Sequence, residues 1–319
     1  MLKTIVSRLG RTAAGLALGA GLAGSLLAPV QAFAQAAPAP APAAAAPATV
    51  ARPALWVVRD ADTTIYLLGT VHALRPTVQW RNAQIDQALA ASQELWLEID
   101  DADDQAAMQP LIMQLGVDPA HPLSSRLNEG DRALLAQASA ALGMPAQALE
   151  PMRPWLAGLT LTVAPLIRAG YDPTRGVDRL IKEAAVERGL TVHGFETAEQ
   201  QFHFFADLPE AQQIEFLHQS LQDYAEGPAV LDRLAAAWAA GDVDTIERVM
   251  VREMRDQSPS LYQLLLVQRN QAFAVRIQQM LAGHGNTVFV AVGAAHLAGP
   301  DSVQAQLARA GVQAQRQQG

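Results

Sequence analysis

The chain has 319 residues, half of them hydrophobic but only 5% aromatic, with 17% charged and a formal net charge of -8. That length accommodates one large domain or two ordinary ones, and the apolar content suffices for a packed core. The acidic balance, without a lysine-arginine cluster, argues against holding nucleic acid through its phosphates; the absence of cysteine excludes disulfides, thiolate zinc sites, a cysteine nucleophile and a lipidated N-terminal cysteine.

The N-terminus reads as an export signal. Lys3, Arg8 and Arg11 precede an uncharged Leu-, Ala- and Gly-rich stretch from Thr12 to Val30, and Ala32-Phe33-Ala34 offers a small-x-small cleavage site. Residues 1–34 are expected to be removed as a signal peptide, leaving a periplasmic or secreted protein. Uncleaved, the stretch approaches the roughly 20 apolar residues of a membrane span and would act as an anchor, the only case in which membrane contact is expected. Residues 35–53 are an Ala/Pro-rich linker whose prolines forbid a regular helix.

The folded part is expected from residue 54 to 319. Leu55 to Arg59 and Thr63 to Leu68, β-branched and aromatic segments around the polar break Asp60-Ala61-Asp62, predict a hairpin whose second strand runs into Gly69-Thr70-Val71-His72. Helical spacing follows from Trp80 to Ser92, then a short strand, Glu94 to Asp100, whose alternation puts Glu94, Trp96, Glu98 and Asp100 on one face. From about 103 to 283 helices dominate as a large insertion: Asp131 to Leu142, Arg153 to Ala169, Val177 to Arg188, Pro209 to Ala225, Pro228 to Ala240, Val243 to Arg255 and Ser260 to Leu281. One strand, Leu190 to Phe195, interrupts them. The last strand, Thr287 to Val292, runs into Gly293-Ala294-Ala295-His296 before a helix from Asp301 to Ala310. The expected fold is α/β, a central β-sheet with two similar strand-Gly-x-x-His halves and a large helical insertion.

Thr63 to His72 and Thr287 to His296 overlay without a gap, matching Thr, an apolar strand, Gly and His. Ligand sites in open α/β sheets form beyond the carboxyl ends of strands, where both histidines fall, and the two glycines, Gly69 and Gly293, are expected to let the backbone leave the strand in a conformation other residues resist. Two imidazoles need an anionic partner; Glu98 is the leading candidate, able to reach His72 if its strand pairs beside the one ending at Gly69. Two neutral imidazoles and a carboxylate can ligate a divalent metal (Mn, Co or Zn) and leave a position for a reactive water. Without a metal, a His-Glu pair deprotonates water, the second His donates to the leaving group and Arg269 steadies the oxyanion. No organic cofactor is expected. His121, His193, His203, His218 and His284 show no matching spacing and are read as structural or surface residues.

The chain resembles the TraB/GumN family, which includes the Tiki proteases that act on Wnt and the TraB pheromone-shutdown proteins, and is more distantly similar to the erythromycin esterase and ChaN-like group. The resemblance covers Leu55 to Gly311. It is carried by Gly69-Thr70-Val71-His72, Leu95 to Asp100, Gly176-Val177-Asp178, Gly194-Phe195-Glu196-Thr197-Ala198-Glu199-Gln200, Arg269-Asn270 and Ala291 to Gly299. It implies an α/β core with a polar cleft lined by His72, Glu98 and His296, and raises the standing of Arg269 and of Asp178 and Asn270 as flanking residues. Glu196 is read either as a partner orienting an imidazole or pairing with Arg269, or as a helix-terminal charge. The resemblance also implies a metal-dependent, peptidase-like hydrolase on the Tiki side and a metal-independent, esterase-like one on the other. The preferred expectation is an exported metal-dependent hydrolase acting on a peptide or small-molecule substrate; the rival is a non-catalytic protein sequestering a peptide or signal.

Overall fold

The computed structural model describes residues 50–224, 226–283 and 285–317. The signal peptide, residues 35–49 of the Ala/Pro tract and His284 lie outside the described residues. Residues 50–53, assigned above to the linker, are fastened to the fold: the Ala51 N–H donates to Gln79 O and that of Arg52 to Ala239 O. Among the described residues no helix is long and apolar enough to cross a membrane.

Two compact units emerge. Of the described residues, one unit contains Ala102–Tyr171 and Ala198–Leu231; the other contains residues 50–101, Asp172–Thr197 and those from Asp232 onward. The stretch read as one insertion over about 103–283 is therefore shared between them. The helix Val177–Glu187, the strand after it and the helices from Val243 onward belong to the second unit.

The first unit is helical. Leu135, Ala138 and Leu142 of the helix Glu129–Leu142 meet Ala157, Leu161 and Ala164 of the helix Pro154–Arg168 and Leu217 and Leu221 of the helix Glu210–Asp223. Gly158 permits this packing: a Cβ there would lie 2.8 Å from the Phe216 ring. Two helices absent from the expectation complete the unit, Gln105–Gly116 and Ala198–Ala206.

The second unit is built on a sheet of six strands, β1 (Leu55–Arg59), β2 (Thr64–Thr70), β3 (Glu94–Ile99), β4 (Thr191–Glu196), β5 (Thr287–Gly293) and β6 (Ala314–Arg316), in the order β4-β3-β5-β2-β1-β6. The hairpin β1–β2 turns where the Asp60 carboxylate accepts from the N–H groups of Asp62 and Thr63. β4, β3, β5 and β2 run parallel; β1 pairs antiparallel with β2, and the short edge strand β6 pairs antiparallel with β1. The α/β architecture expected from the alternation of strands and helices is thus present.

Two features of the sheet lie beyond what the sequence reading supplied. β3 does not pair with β2: β5, from the far end of the chain, lies between them and pairs with both. Nor do the two Gly-x-x-His segments sit level, because Thr64 pairs with Thr287 and Gly69 with Val292, one residue out of step with the sequence overlay. Parallel pairing is nonlocal, and an overlay of similar segments carries no information about its register.

One face of the sheet carries Ile65 and Leu67 of β2, Trp96 of β3 and Val288, Val290 and Val292 of β5, packed against Phe273, Ala274 and Ile277 of the helix Gln268–Ala282. Strand alternation puts Glu98 on the same face as Trp96. That helix begins just after a widened π-turn over Gln263–Val267 and buries Arg269 and Asn270 on the side of its apolar residues.

Candidate active site

All the residues singled out from the sequence fall in the second unit, at the carboxyl ends of the four parallel strands. His72 follows β2, Glu98 ends β3, Glu196 ends β4, and His296 lies in the short Ala294–Leu297 turn after β5. Asp178 comes from the first turn of the helix Val177–Glu187, whose Val177 N–H donates to Val71 O and so ties that turn to the His72 loop.

Arg269 is the hub. Its Nε and Nη2 donate to the Glu196 carboxylate at 2.8 Å each, Nη2 also donates to Glu98 Oε2 at 2.7 Å, and Nη1 donates to Leu265 O and meets His296 Nε2, both at 3.1 Å. A guanidinium has five N–H bonds, and these contacts engage all of them. None remains for the oxyanion the sequence reading assigned to Arg269; the geometry makes it a clamp that orders two carboxylates and an imidazole. Of the two readings offered for Glu196, the pairing with Arg269 is the one present.

Burial separates the members. The side chains of His296, Arg269 and Glu98 are 2%, 3% and 7% exposed, and His72 is 10% exposed. His72 Nδ1 lies 3.3 Å from Asp178 Oδ1. On the other side Glu98 Oε1 accepts from the Gly293 N–H at 2.5 Å and lies 3.4 Å from His296 Nε2. Asn270 Oδ1 is 2.5 Å from His296 Nδ1.

The two histidines are driven apart electrically. Burial alone lowers the pKa of each. At His72 the charges of Asp178 and Glu98 outweigh burial and raise it from 6.5 to about 9. At His296 burial is opposed by Glu98 but reinforced by the cations Arg269 and His72, leaving it at about 3. Burial pushes Glu98 upward, yet His296, Arg269, His72 and the Gly293 N–H together hold it well below the usual carboxylate range. At neutral pH the cluster is therefore an imidazolium at His72, a carboxylate at Glu98 and a neutral ring at His296.

The glycines serve closeness, which corrects the expectation of special backbone angles. Gly293 has φ -51°, and Gly69 is not among the glycines of positive φ. A Cβ on Gly293 would stand 2.9 Å from Glu98 Oε1 and 3.3 Å from His72 Nε2, and one on Gly69 would stand 3.0 Å from Ala294 Cα. Gly293→Ala is expected to displace the carboxylate or the imidazole. It should abolish any turnover while leaving the thermal midpoint within a few degrees, since the methyl meets side-chain ends and not backbone.

His72, Glu98 and His296 converge, but the atoms that two of them would offer a metal already have partners. Glu98 Oε1 and Oε2 accept from Gly293 and Arg269, and His296 Nε2 faces Arg269. Among the described residues no group of three His, Asp or Glu side chains is placed to hold a metal ion. As it stands, the arrangement does not offer a divalent metal three open ligands.

The sequence marked Gly176 only as part of the segment that carries the resemblance, whereas a Cβ there would meet His72 O at 2.6 Å; it missed the pair Tyr262 and Asp301, whose hydrogen bond stands behind Asn270. Gly176 had a legible signal, standing two residues before Asp178 at a helix start; Tyr262 and Asp301 had none. The other described histidines have local partners: His121 with Asp118, His203 with Asp207, His218 with Asp131, and His193 stacked on Trp96.

A search of curated proteins and a search of solved structures each returned no match. The model of the TraB/PrgY/gumN family matches residues 54–316, which spans the sheet and every residue of the cluster. The chain belongs to the TraB/PrgY/gumN family.

Proposed function

We propose that this chain is an exported hydrolase of peptide or ester bonds in which His72 and Glu98 move the protons. The observation that carries the reading is the cradle at Gly293. Glu98 Oε1 and His72 Nε2 both close on the bare face of that glycine, where a Cβ would meet them at 2.9 Å and 3.3 Å, so a carboxylate and an imidazole nitrogen are brought to one place.

The charge states at neutral pH suit this division of labour. Water attacks the carbonyl carbon as Glu98 Oε1 takes one of its protons; the imidazolium of His72 gives its Nε2 proton to the departing nitrogen or oxygen as that bond breaks. The products are a carboxylic acid and an amine or alcohol. Passage of the proton from Glu98 to His72 restores both groups. Asp178 steadies the imidazolium, while Arg269, Glu196 and His296 hold the Glu98 carboxylate in place.

The pH dependence follows with a definite sign. His72 acts as the acid, so kcat falls as pH rises through about 9, where it loses its proton; Glu98 stays ionised far below neutrality. Asp178→Asn removes one of the charges that raise His72, so the falling limb of the kcat profile should move to lower pH. An unshifted limb in that variant would assign the proton to another group.

The deciding experiment is turnover of peptide and ester panels by chelator-treated protein, with Mn, Co and Zn added back separately. Product formed without metal supports the reading. Turnover only with metal favours a route through His72, Glu98 and His296, for which Arg269 must release His296. Tight binding without product identifies the sequestering alternative. Export is supported by the charged and apolar pattern of residues 1–34, and N-terminal sequencing of the mature protein tests it: the first residue expected is Gln35.

A further inference from the structure

Behind the cluster runs a chain of hydrogen bonds whose directions can be worked out without substrate. Asn270 Nδ2 donates to the backbone oxygen of Asp301 at 2.8 Å. A carbonyl oxygen only accepts, so the amide NH2 must face Asp301 and the amide oxygen must face His296. That oxygen lies 2.5 Å from His296 Nδ1, which must therefore carry a hydrogen.

The other side of the ring demands the same arrangement. Arg269 Nη1, which only donates, is 3.1 Å from His296 Nε2, so Nε2 must present a lone pair. One neighbour favours the opposite tautomer: Glu98 Oε1, an acceptor, is 3.4 Å from Nε2. It is the more distant partner, and its own closest donor is the Gly293 N–H at 2.5 Å. Two short contacts against one long one settle the ring as neutral, with Nδ1 protonated.

The anchor of this arrangement lies outside the cluster itself. Asp301, whose backbone oxygen orients Asn270, accepts from the Tyr262 hydroxyl at 2.7 Å and from Arg309 Nη2 at 3.0 Å through its carboxylate. The backbone at Asp301 is thus held from the side chain outward.

We propose that Asn270, anchored on Asp301 by Tyr262 and Arg309, is a positioning residue that locks His296 as its neutral Nδ1–H tautomer. The Nε2 lone pair then draws Arg269 Nη1 to it and fixes the guanidinium against Glu98. This deepens the hydrolase reading, which needs Glu98 held in place, but its test requires no turnover. If the hydrolase reading fails and the tautomer stands, or the reverse, the two results are read separately.

The test is nitrogen-15 NMR of the histidine rings in the chelator-treated full chain, with His296 assigned by its loss in His296→Ala. The expected native spectrum shows a neutral ring with Nδ1 protonated and an Nδ1–H proton protected from solvent exchange. Asn270→Leu should remove that protection, and Asn270→Asp, which keeps an oxygen acceptor toward the ring, should retain it. A native ring protonated at Nε2 overturns the proposal whether or not either variant folds. So does a folded Asn270→Leu chain whose Nδ1–H proton is as protected as in the native protein.

Discussion

Replacing His72 with alanine should lower kcat by a factor of about 10²–10⁴, the range by which one positioned acid–base group accelerates a reaction, while the protein still unfolds cooperatively near its native midpoint. The asymmetry comes from where His72 sits. It is the most exposed member of the cluster besides Glu196 and Asp178 at its margin, and its packing contributes little to the core built from β2, β5 and the helix Gln268–Ala282. Loss of the imidazole therefore removes a proton donor without opening a large cavity. His72→Gln, which keeps polarity and approximate length but cannot carry a proton, should be as inactive as the alanine variant. Steady-state rates and thermal melts on the same samples check the claim; a His72→Gln enzyme retaining more than a tenth of native kcat would remove His72 from the chemistry.

Arg269→Ala should behave in the opposite way, losing stability first. Its guanidinium stands between two buried carboxylates, Glu98 and Glu196, at 2.7 Å and 2.8 Å. Removing one partner of a buried ion pair leaves an uncompensated charge, typically a loss of about 3–5 kcal/mol, a substantial part of the total stability of an ordinary domain. Burial works against the charge on Arg269, but the two carboxylates hold it firmly protonated, so the clamp persists across the whole ordinary pH range. Lysine should not rescue it: an ammonium cannot reproduce the fork that meets two carboxylates and an imidazole at once. Urea denaturation of the native, Arg269→Ala and Arg269→Lys proteins measures this. The double variant Arg269→Ala with Glu98→Gln should recover part of the loss, because it removes one of the stranded charges.

Local pattern made much of this legible beforehand. The strands ending at Gly69 and Gly293 were visible from their β-branched runs, and the convergence of His72, Glu98 and His296 followed from the rule that sites collect at carboxyl ends of parallel strands. The strand order was not legible, because alternation along β3 says which face Glu98 occupies but nothing about whether β2 or β5 lies beside it. The pairing of Arg269 with Glu196 was available only as one of two readings, since it joins residues far apart in the chain through a sheet edge and a helix.

Two helices were missed for different reasons. Gln105–Gly116 contains Pro110, which sequence rules treat as a breaker, and separates its polar and apolar faces weakly. In Ala198–Ala206 the buried positions Ala198, Gln201, Phe202 and Phe205 follow helical spacing, but the glutamine among them and the adjoining Phe204 obscure the period. The roles of Gly69 and Gly293 were misjudged because sequence shows that a side chain is missing without showing whether torsion or proximity requires it.

The place of β5 in the sheet bears on biogenesis. β2 and β3 leave the ribosome early, yet they are not partners, and the slot between them stays unfilled until β5 has been made. A nascent or prematurely terminated product would expose two parallel strand edges at once, an invitation to self-association. The same ordering withholds Gly293 and His296 until β5 has been made, so the cluster around Glu98 cannot assemble before that strand arrives.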